Sequence, residues 1–370
     1  MQYGSAELRI KETKDKTKRA GMDISFLALV VILLAIGVTM VLSASFARAY
    51  FDPGGVTKGK ATYYFIRQFI FAALGVAAMI ICSRLPVGFY KRFSMPVLIA
   101  AVILLMLVPI IGTNANGAKR WIGFGAFTIQ PSEIAKIGII LAFASMICAR
   151  RGRMKSFRYG ILPFAAILIV IVGLLVLEPH FSASIIIVAI GGVMLFLGGA
   201  RLVWFIAAAV AAGGGIAVLL TMFPYASTRI TTWRDPFAST SDEGYQIVQS
   251  LYSIGSGGLT GLGLGQSRQK YLYLPEEHND YIFSIVCEEL GYVGAIAILI
   301  LFALLICRGY WIAAHSPDRY SFLVGVGITT LLSIQVFLNI AVVTNLIPCT
   351  GISLPFFSYG GTALLMQLGE

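Results

Sequence analysis

The sequence predicts an all-α polytopic membrane protein with about ten transmembrane helices. Of its 370 residues, 58% are hydrophobic and only 12% are charged, whereas soluble domains average about 45–50% apolar and about 25% charged residues. This few charged residues cannot cover the surface of a soluble protein of this size. Lipid must therefore surround much of the chain. The apolar residues fall in runs of about 20, the length a helix needs to cross a bilayer. These runs lack the alternation typical of transmembrane strands.

The predicted helices follow one another with short polar, glycine- or proline-containing connections. A basic tail, residues 1–22, precedes the first apolar run, which is longer than the roughly 7–15 residues of a secretory signal and therefore indicates an uncleaved helix. The tenth helix begins near Phe356 and has too few residues after it to reach about 20, so we expect it to be truncated or incomplete. The first nine predicted spans are 24–46, 63–83, 95–112, 130–149, 160–177, 182–200, 202–222, 281–306 and 321–345.

The distribution of basic residues predicts the orientation. With a cytoplasmic N-terminus, 17 of the 28 lysines and arginines lie in cytoplasmic segments. An excess of basic residues on the cytoplasmic side is the rule for membrane proteins, and it also accounts for the net charge of +11 without nucleic-acid binding. We therefore predict a membrane domain over residues 23–370 with both termini cytoplasmic. One large extracytoplasmic loop, residues 223–280, would lie between helices 7 and 8.

Five acidic residues lie in the stretch LPEEHNDYIFSIVCEELG, residues 274–291, where the large loop enters the eighth predicted helix. Asp280, Ser284 and Glu288 recur every four residues and would share one helix face. Asp280 could instead be a simple helix N-cap, but that would not explain further acids about two turns into a span. We interpret this face as one wall of a polar cavity open to the outer side, with Asp280 at its mouth.

A second group of charges lies in residues 116–138, within or beside a predicted span, where ionisable groups are costly and usually functional. Lys119 and Arg120 occupy an outer connection. Glu133 and Lys136 are three residues apart on a helix, so they share a face and can pair. The four residues could bind an anion. Alternatively, Glu133 and Lys136 form only an internal salt bridge, and Lys119 and Arg120 extend their charged ends to the membrane interface.

The remaining polar segments fit structural roles. The glycine-rich residues 255–267 lack the GK[ST] ending of a phosphate-binding loop and are expected to form a flexible outer loop. Glu276 and Glu277 are expected to face solvent. His180, in the turn LEPHFSAS, is equally consistent with a functional and a structural role. The five cysteines occur singly and without metal-ligand spacing, which favours apolar packing over redox or zinc chemistry.

Six segments of the chain are, in order, AKRWIGFGAFTIQPSEIAKI, EPH, WRDP, GGLTGLGLGQS, YLPEEHNDYIFSIVCEELG and GISLPFFSYGGT. Together and in this order they resemble the SEDS family (shape, elongation, division and sporulation) of bacterial cell-wall glycosyltransferases. The first and fifth segments are more similar to the FtsW/SpoVE branch than to RodA. His180 departs from the family pattern, in which many members have Asp.

The resemblance implies a peptidoglycan glycosyltransferase that polymerises lipid II into glycan strands outside the bacterial cytoplasmic membrane, in division or sporulation. The family's catalytic acid falls in the H-x-D-[FY]-I-F motif, which is Asp280 here. It would act as general base when the 4-hydroxyl of GlcNAc attacks C1 of MurNAc with inversion and release of undecaprenyl pyrophosphate. The residues expected to bind substrate are Lys119, Arg120, Glu133, Lys136, His278, Glu288 and Ser358.

The resemblance also implies cofactors and partners. A divalent cation, Mg²⁺ or Mn²⁺, could assist the basic side chains at the leaving pyrophosphate, and no organic cofactor is expected. The implied partners are a class B penicillin-binding protein that crosslinks the strands, division or sporulation proteins, and membrane lipid. Two alternatives stay open. A lipid II flippase or transporter would need its cavity to open to both faces, and a non-catalytic scaffold would need no base.

Overall fold

The computed structural model describes residues 22–115, 118–124, 127–222, 224–238 and 242–370. The basic tail predicted for residues 1–22 lies outside the described residues, apart from its last residue. The described chain folds into α-helices, with three short strands in one connection. The elements are, in order, α1 (Ile24–Tyr50), α2 (Tyr63–Arg84), α3 (Val87–Ile111), β1 (Thr113–Ala115), β2 (Ala118–Phe124), β3 (Phe127–Ile129), α4 (Pro131–Ala149), a π-helical turn (Phe157–Ile161), α5 (Leu162–Leu177), α6 (Phe181–Gly198), α7 (Leu202–Met222), α8 (Pro224–Arg234), α9 (Asp242–Ser256), α10 (Ile282–Ala314), α11 (Arg319–Val343) and α12 (Gly361–Gly369).

Eight stretches of the described residues are long and apolar enough to cross a membrane. They are α1 to α4, α5 with the π-helical turn before it, α6, α10 and α11. α7 covers the seventh predicted span, 202–222, residue for residue. The tenth predicted helix, α12, begins at Gly361 rather than near Phe356, because turns and irregular backbone continue up to that residue. The structure thus confirms a mostly helical, multi-pass architecture.

Two helices extend furthest beyond their predicted spans. α3 begins at Val87 rather than at 95, and α10 ends at Ala314 rather than at 306. Hydropathy marks only the apolar part of a helix, whereas its backbone hydrogen bonds continue into the polar region beyond the hydrocarbon. Both extensions accordingly carry basic residues, among them Lys91 and Arg308.

The large predicted loop is not an open loop. It contains α8 and α9, and its glycine-rich part packs against α10. The amides of Leu262 and Gly263 donate to the backbone oxygens of Glu288 and Glu289 at 2.9 and 3.0 Å. α10 is interrupted there, at Gly291, with φ 68° and ψ −171°. The glycine-rich segment thus satisfies backbone groups that the interruption exposes, and the expectation of a flexible loop is wrong.

Two hydrophobic clusters hold the helices together. One contains α1, the start of α10 and the segment before α12, with Leu33, Ile285 and Phe357 fully buried. The other contains α3 to α6, with Phe143 and Ile187 fully buried. α11 contributes residues to both clusters. The two clusters therefore meet along α11, and the polar residues of the site lie at one end of this boundary.

Candidate active site

A cavity of about 1040 Å³ lies at the end of the bundle where α1, α3 and α5 finish and α2, α4 and α6 begin. Its walls are the first turns of α2, α4 and α6, strand β2, residues 276–280 before α10, and residues 351–364. Apolar residues from both hydrophobic clusters, such as Ile186 and Leu364, form part of the lining. All these segments belong to one end of the bundle, so the cavity lies at that end, and polar side chains form the rest of its lining.

The backbone around Asp280 is held at three consecutive carbonyl groups. The oxygens of residues 278–280 accept, in order, hydrogen bonds from Tyr359 N at 2.8 Å, Ser358 Oγ at 2.8 Å and Asn339 Nδ2 at 2.7 Å. Asp280 lines the cavity. Ser358 also lines the cavity, where its hydroxyl supports the backbone beside Asp280, and its role in binding substrate stays a prediction.

The surroundings of Asp280 favour a carboxyl group that ionises near neutral pH. Burial, assisted by the nearby Glu276 carboxylate, raises its pKa to about 6 against the opposing charge of Arg120. Gly351 faces the carboxylate with φ +62°, and a Cβ atom there would lie 3.2 Å from Oδ2. A carboxylate with a raised pKa is a better proton acceptor than a fully solvated one, which suits a general base.

Two basic side chains that are distant from Asp280 in sequence line the same cavity. Lys136 is almost fully buried, and its Nζ is 2.6 Å from Glu133 Oε2, which confirms the predicted pair. Arg120 Nη2 donates to the backbone oxygen of Pro179 at 2.5 Å. Arg120, Glu133 and Lys136 all line the cavity. They provide positive charge with one compensating carboxylate.

The turn before α6 brings two further titratable groups close to Arg120. His180 lines the cavity; burial lowers its pKa to about 3, helped by the charges of Arg120 and Lys136. Its imidazole is therefore neutral at physiological pH. Glu178 is buried, which raises its pKa to about 7 against the opposing effect of Arg120. The sequence left the role of His180 open, and the structure places it in the cavity wall.

Three of the predicted substrate-binding residues lie outside the cavity lining, and Lys119 and His278 are two of them. Lys119 is exposed and outside the cavity lining, with Nζ 3.5 Å from the backbone oxygen of Pro109. His278 is buried and outside the cavity lining, with its ring centroid 4.6 Å from that of Tyr64 and 5.6 Å from that of Tyr359. Lys119 points away because adjacent side chains of β2 project to opposite sides of the strand. The His278 ring packs among aromatic side chains instead of facing the cavity.

Glu288 is also outside the cavity. It is fully buried and accepts hydrogen bonds from Ser253 Oγ at 3.1 Å and from the Arg268 amide at 3.0 Å. The predicted common face with Asp280 is wrong because α10 begins only at Ile282. Asp280 therefore belongs to the turn before the helix, and the four-residue helical spacing does not apply to it.

Glu277 was expected to face solvent and is instead fully buried. Arg48 of α1 binds it with two hydrogen bonds, from Nε at 2.7 Å and from Nη2 at 2.8 Å. Glu276 lines the cavity. The acids in this stretch thus have separate roles, because one anchors the turn to α1 and another faces the substrate space.

Gln335 and Asn339 of α11 were missed by the sequence analysis. Gln335 lines the cavity, and Asn339 is buried and holds the Asp280 backbone. They are four residues apart and so share a helix face. Polar amides repeating at this spacing inside an apolar span were the signal that could have identified them.

Comparison with known proteins identifies the family of the chain. Residues 24–369 match the family model FTSW_RODA_SPOVE, described as cell cycle protein. The chain belongs to this family. Stage V sporulation protein E of Bacillus subtilis (strain 168) is 40% identical over 355 residues, covering 95% of each chain. A probable peptidoglycan glycosyltransferase FtsW of Saccharophagus degradans is 39% identical, covering 94% of this chain and 90% of that protein.

Solved structures of the FtsW/RodA/SpoVE family share the fold. A chain from a structure described as "Structural coordination of polymerization and crosslinking by a peptidoglycan synthase complex" has a TM-score of 0.76 at 28% identity, covering 94% of both chains. The crystal structure of the rod shape determining protein RodA of Thermus thermophilus has a TM-score of 0.68 at 26% identity, covering 94% of this chain and 93% of that one.

The side chains that line the cavity decide whether this family member could hold a metal ion. The described residues include no group of three or more His, Cys, Asp or Glu side chains placed to hold one. Magnesium, however, is commonly held by one or two carboxylates together with substrate phosphates. Glu276 lines the cavity, and one carboxylate fits a cation that takes its other ligands from a phosphorylated substrate.

Proposed function

We propose that the chain is a peptidoglycan glycosyltransferase that polymerises lipid II into glycan strands at the outer face of the bacterial cytoplasmic membrane, with Asp280 as general base. The observation that carries the proposal is the position of Asp280. The backbone carbonyls of residues 278–280 are all held by hydrogen bonds, and Asp280 lines a cavity with charged walls. The relatives named FtsW glycosyltransferase and stage V sporulation protein E support the same activity and a role in division or sporulation.

We further propose ten membrane spans over residues 23–370, with cytoplasmic termini and residues 223–280 outside. α7 would be the ninth span, and α12, with nine residues, would be part of the tenth. The cavity lies at one end of the bundle, whereas basic residues such as Arg84, Arg153 and Arg319 lie at the other end. An excess of positive charge is typical of cytoplasmic segments, which supports the proposal that the cavity faces the outer side.

The cavity residues support a one-step inverting displacement. Asp280 takes the proton of the GlcNAc 4-hydroxyl as the oxygen attacks C1 of MurNAc, and the C1–pyrophosphate bond breaks. The charge that develops on the leaving pyrophosphate is stabilised by the positive side chains of Arg120 and Lys136. A single base suffices because no covalent intermediate forms.

A divalent cation and a protein partner complete the proposal. Mg²⁺ or Mn²⁺ would be held by Glu276, which lines the cavity, and by the substrate pyrophosphate, where it would supply charge neutralisation. A class B penicillin-binding protein would crosslink the strands. Its participation is supported by the likeness to a chain of a complex that, by its description, coordinates polymerization and crosslinking.

The test uses the purified full chain with its transpeptidase partner in lipid vesicles, supplied with labelled lipid II. Glycan strands should form with the wild type and be absent with Asp280→Asn. Asp235→Asn is the matched control, because Asp235 is an exposed acid of the large loop whose Oδ1 accepts from Ala238 N at 3.1 Å. It should polymerise normally.

The alternatives give different outcomes in the same assay. Labelled lipid crossing the vesicle membrane without polymer would identify a flippase. Equal polymer from wild type and Asp280→Asn would overturn the general base. If the wild type forms no polymer and Asp280→Asn still supports division in cells, the chain is a scaffold.

A further inference from the structure

A buried polar cluster lies behind Asp280 and outside the cavity. It centres on Glu288 and Glu289, which are six and seven residues after the start of α10, about 9–10 Å along the helix axis at about 1.5 Å per residue. The residues between Ile282 and the interruption at Gly291 form a short half-helix, 282–290. Asp280 precedes this half-helix with only Tyr281 between them.

Glu289 forms a buried ion pair with a residue of the large loop. Lys270 Nζ lies 3.0 Å from Glu289 Oε1, and both side chains are almost fully buried. Ser43 of α1 donates to the same carboxylate at 2.7 Å. Lys270 also donates to the backbone oxygen of Gly265 at 2.6 Å. The pair thus joins the half-helix, α1 and the glycine-rich segment at one point.

Glu288 is held by neutral donors. Three hydroxyl groups donate to it, from Ser253, Ser256 and Ser267, together with the amides of Arg268 and Gln269. A buried carboxylate with several hydrogen bonds is tightly fixed, because removing any donor leaves charge poorly solvated.

Helix α9 runs beside the half-helix and binds it through serines spaced three apart. Ser250 Oγ lies 2.7 Å from Ser284 Oγ, and Ser253 Oγ donates to the Ser284 backbone oxygen at 3.0 Å. These contacts and the two glutamates fix both ends of residues 284–289. None of these side chains lines the cavity, so a direct role in substrate binding does not explain them.

We propose that the Lys270–Glu289 ion pair and the Glu288 hydrogen bonds position Asp280, by fixing the height and rotation of half-helix 282–290. Lys270, Glu288 and Glu289 are positioning residues that act through the backbone. The proposal rests on the proposed role of Asp280 as base. Displacing a catalytic group by about 1 Å can cost about 100-fold in rate, so a loose half-helix would lower turnover without altering the substrate-binding side chains.

The first experiment measures polymerisation by Lys270→Met and Glu289→Gln in the full chain. We expect kcat to fall about tenfold or more while KM for lipid II changes by less than about twofold, because only the transition-state geometry is altered. The charge-swapped variant with both Lys270→Glu and Glu289→Lys should recover part of the rate. Lys60→Met, at an exposed lysine of the α1–α2 connection, is the matched control and should keep wild-type kinetics.

The second experiment needs no activity. Asp280→Cys is labelled with a small, charged, membrane-impermeant thiol reagent, and the labelling of the parent chain is subtracted. Adding Lys270→Met or Glu289→Gln should change the labelling rate about fivefold or more, and the charge swap should restore it. An unchanged labelling rate would overturn the positioning role, whatever the effect on polymerisation.

The two readouts separate this proposal from the proposed function. If Asp280→Asn polymerises normally, the role of Asp280 as base fails while the labelling result still reports where residue 280 lies. If Lys270→Met does not fold, Ser267→Ala removes one donor to Glu288 without exposing a charge, and the same labelling change is then expected. Normal labelling in Ser267→Ala would count against the proposal.

Discussion

The side-chain amide of Asn339 donates a 2.7 Å hydrogen bond to the backbone oxygen of Asp280. The same Nδ2 donates to the backbone oxygen of Ile352, also at 2.7 Å. One buried amide on α11 therefore ties the proposed base to the segment that forms the facing wall of the cavity. The distance between the two walls at Asp280 depends on this residue.

Asn339→Ala should lower both stability and turnover. Two buried backbone oxygens lose their donor, which costs about 1–3 kcal/mol each for an unsatisfied group, and Asp280 is released from the wall. The measurements are the thermal midpoint of the detergent-solubilised protein and the rate of lipid II polymerisation. Ser333→Ala is the control, because its hydroxyl bonds only within α11 to Thr329 O. A lower midpoint with full turnover would make Asn339 purely structural.

Glu277→Gln should destabilise the protein through Arg48. The two side chains form a bidentate pair, with the carboxylate fully buried and the guanidinium partly exposed. Breaking a buried pair costs about 3–5 kcal/mol, and the exposure of Arg48 reduces this to about 2 kcal/mol. Arg48→Lys should also destabilise, because a lysine cannot make the bidentate contact. A melting midpoint within error of the wild type for both variants would contradict this.

The same pair predicts how stability depends on pH. Burial raises the pKa of Glu277, but the His278 ring and the Arg48 guanidinium outweigh it, so the pKa is lowered overall. A lowered folded-state pKa stabilises the protein above the unfolded-state pKa of about 4.3, and this stability is lost as the pH falls through the folded value. The melting midpoint of Glu277→Gln should therefore differ from the wild type at neutral pH and converge with it in acid.

Sequence patterns predicted the features that depend on neighbouring residues. Runs of apolar residues located the spans, and for α7 the bounds agree residue for residue. The Glu133–Lys136 pair was predicted because both residues lie on one helix, where spacing determines contact. The prediction that Asp280 and Glu288 share one face of α10 is wrong for a local reason, since the helix starts after Asp280.

Contacts between distant segments could not be predicted in this way. Arg48 and Glu277 are separated by 229 residues, and Ser43 and Glu289 by 246. A single sequence contains no signal that pairs them, so Glu277 was assigned to solvent. Packing of the glycine-rich segment against α10 also depends on tertiary structure, because its glycines are equally consistent with a flexible loop.

Gly291→Ala should prevent the glycine-rich segment from packing on α10. Gly291 has φ +68°, and a Cβ atom there would lie 2.2 Å from the backbone nitrogen of Gly261. Both the strained backbone conformation and the overlap with main-chain atoms oppose any side chain. Gly173→Ala is the control, since nothing lies within 4 Å of its Cβ position. We expect a lower yield of folded protein and increased protease cleavage within residues 257–265 for Gly291→Ala alone.

The pH dependence of polymerisation should shift in opposite directions when the two charged neighbours of Asp280 are removed. The base works as the carboxylate, so kcat/KM should fall as the pH drops below the Asp280 pKa of about 6. Glu276→Gln removes a charge that raises this pKa, which moves the acid limb to lower pH. Arg120→Gln removes a charge that lowers it, which moves the limb to higher pH and also lowers the maximal rate through weaker pyrophosphate binding. Lys119→Gln, an exposed lysine outside the cavity, should leave the limb in place. Shifts of Glu276→Gln and Arg120→Gln in the same direction would show that a group other than Asp280 controls the acid limb, because neutralising opposite charges beside one carboxylate must move its pKa in opposite directions.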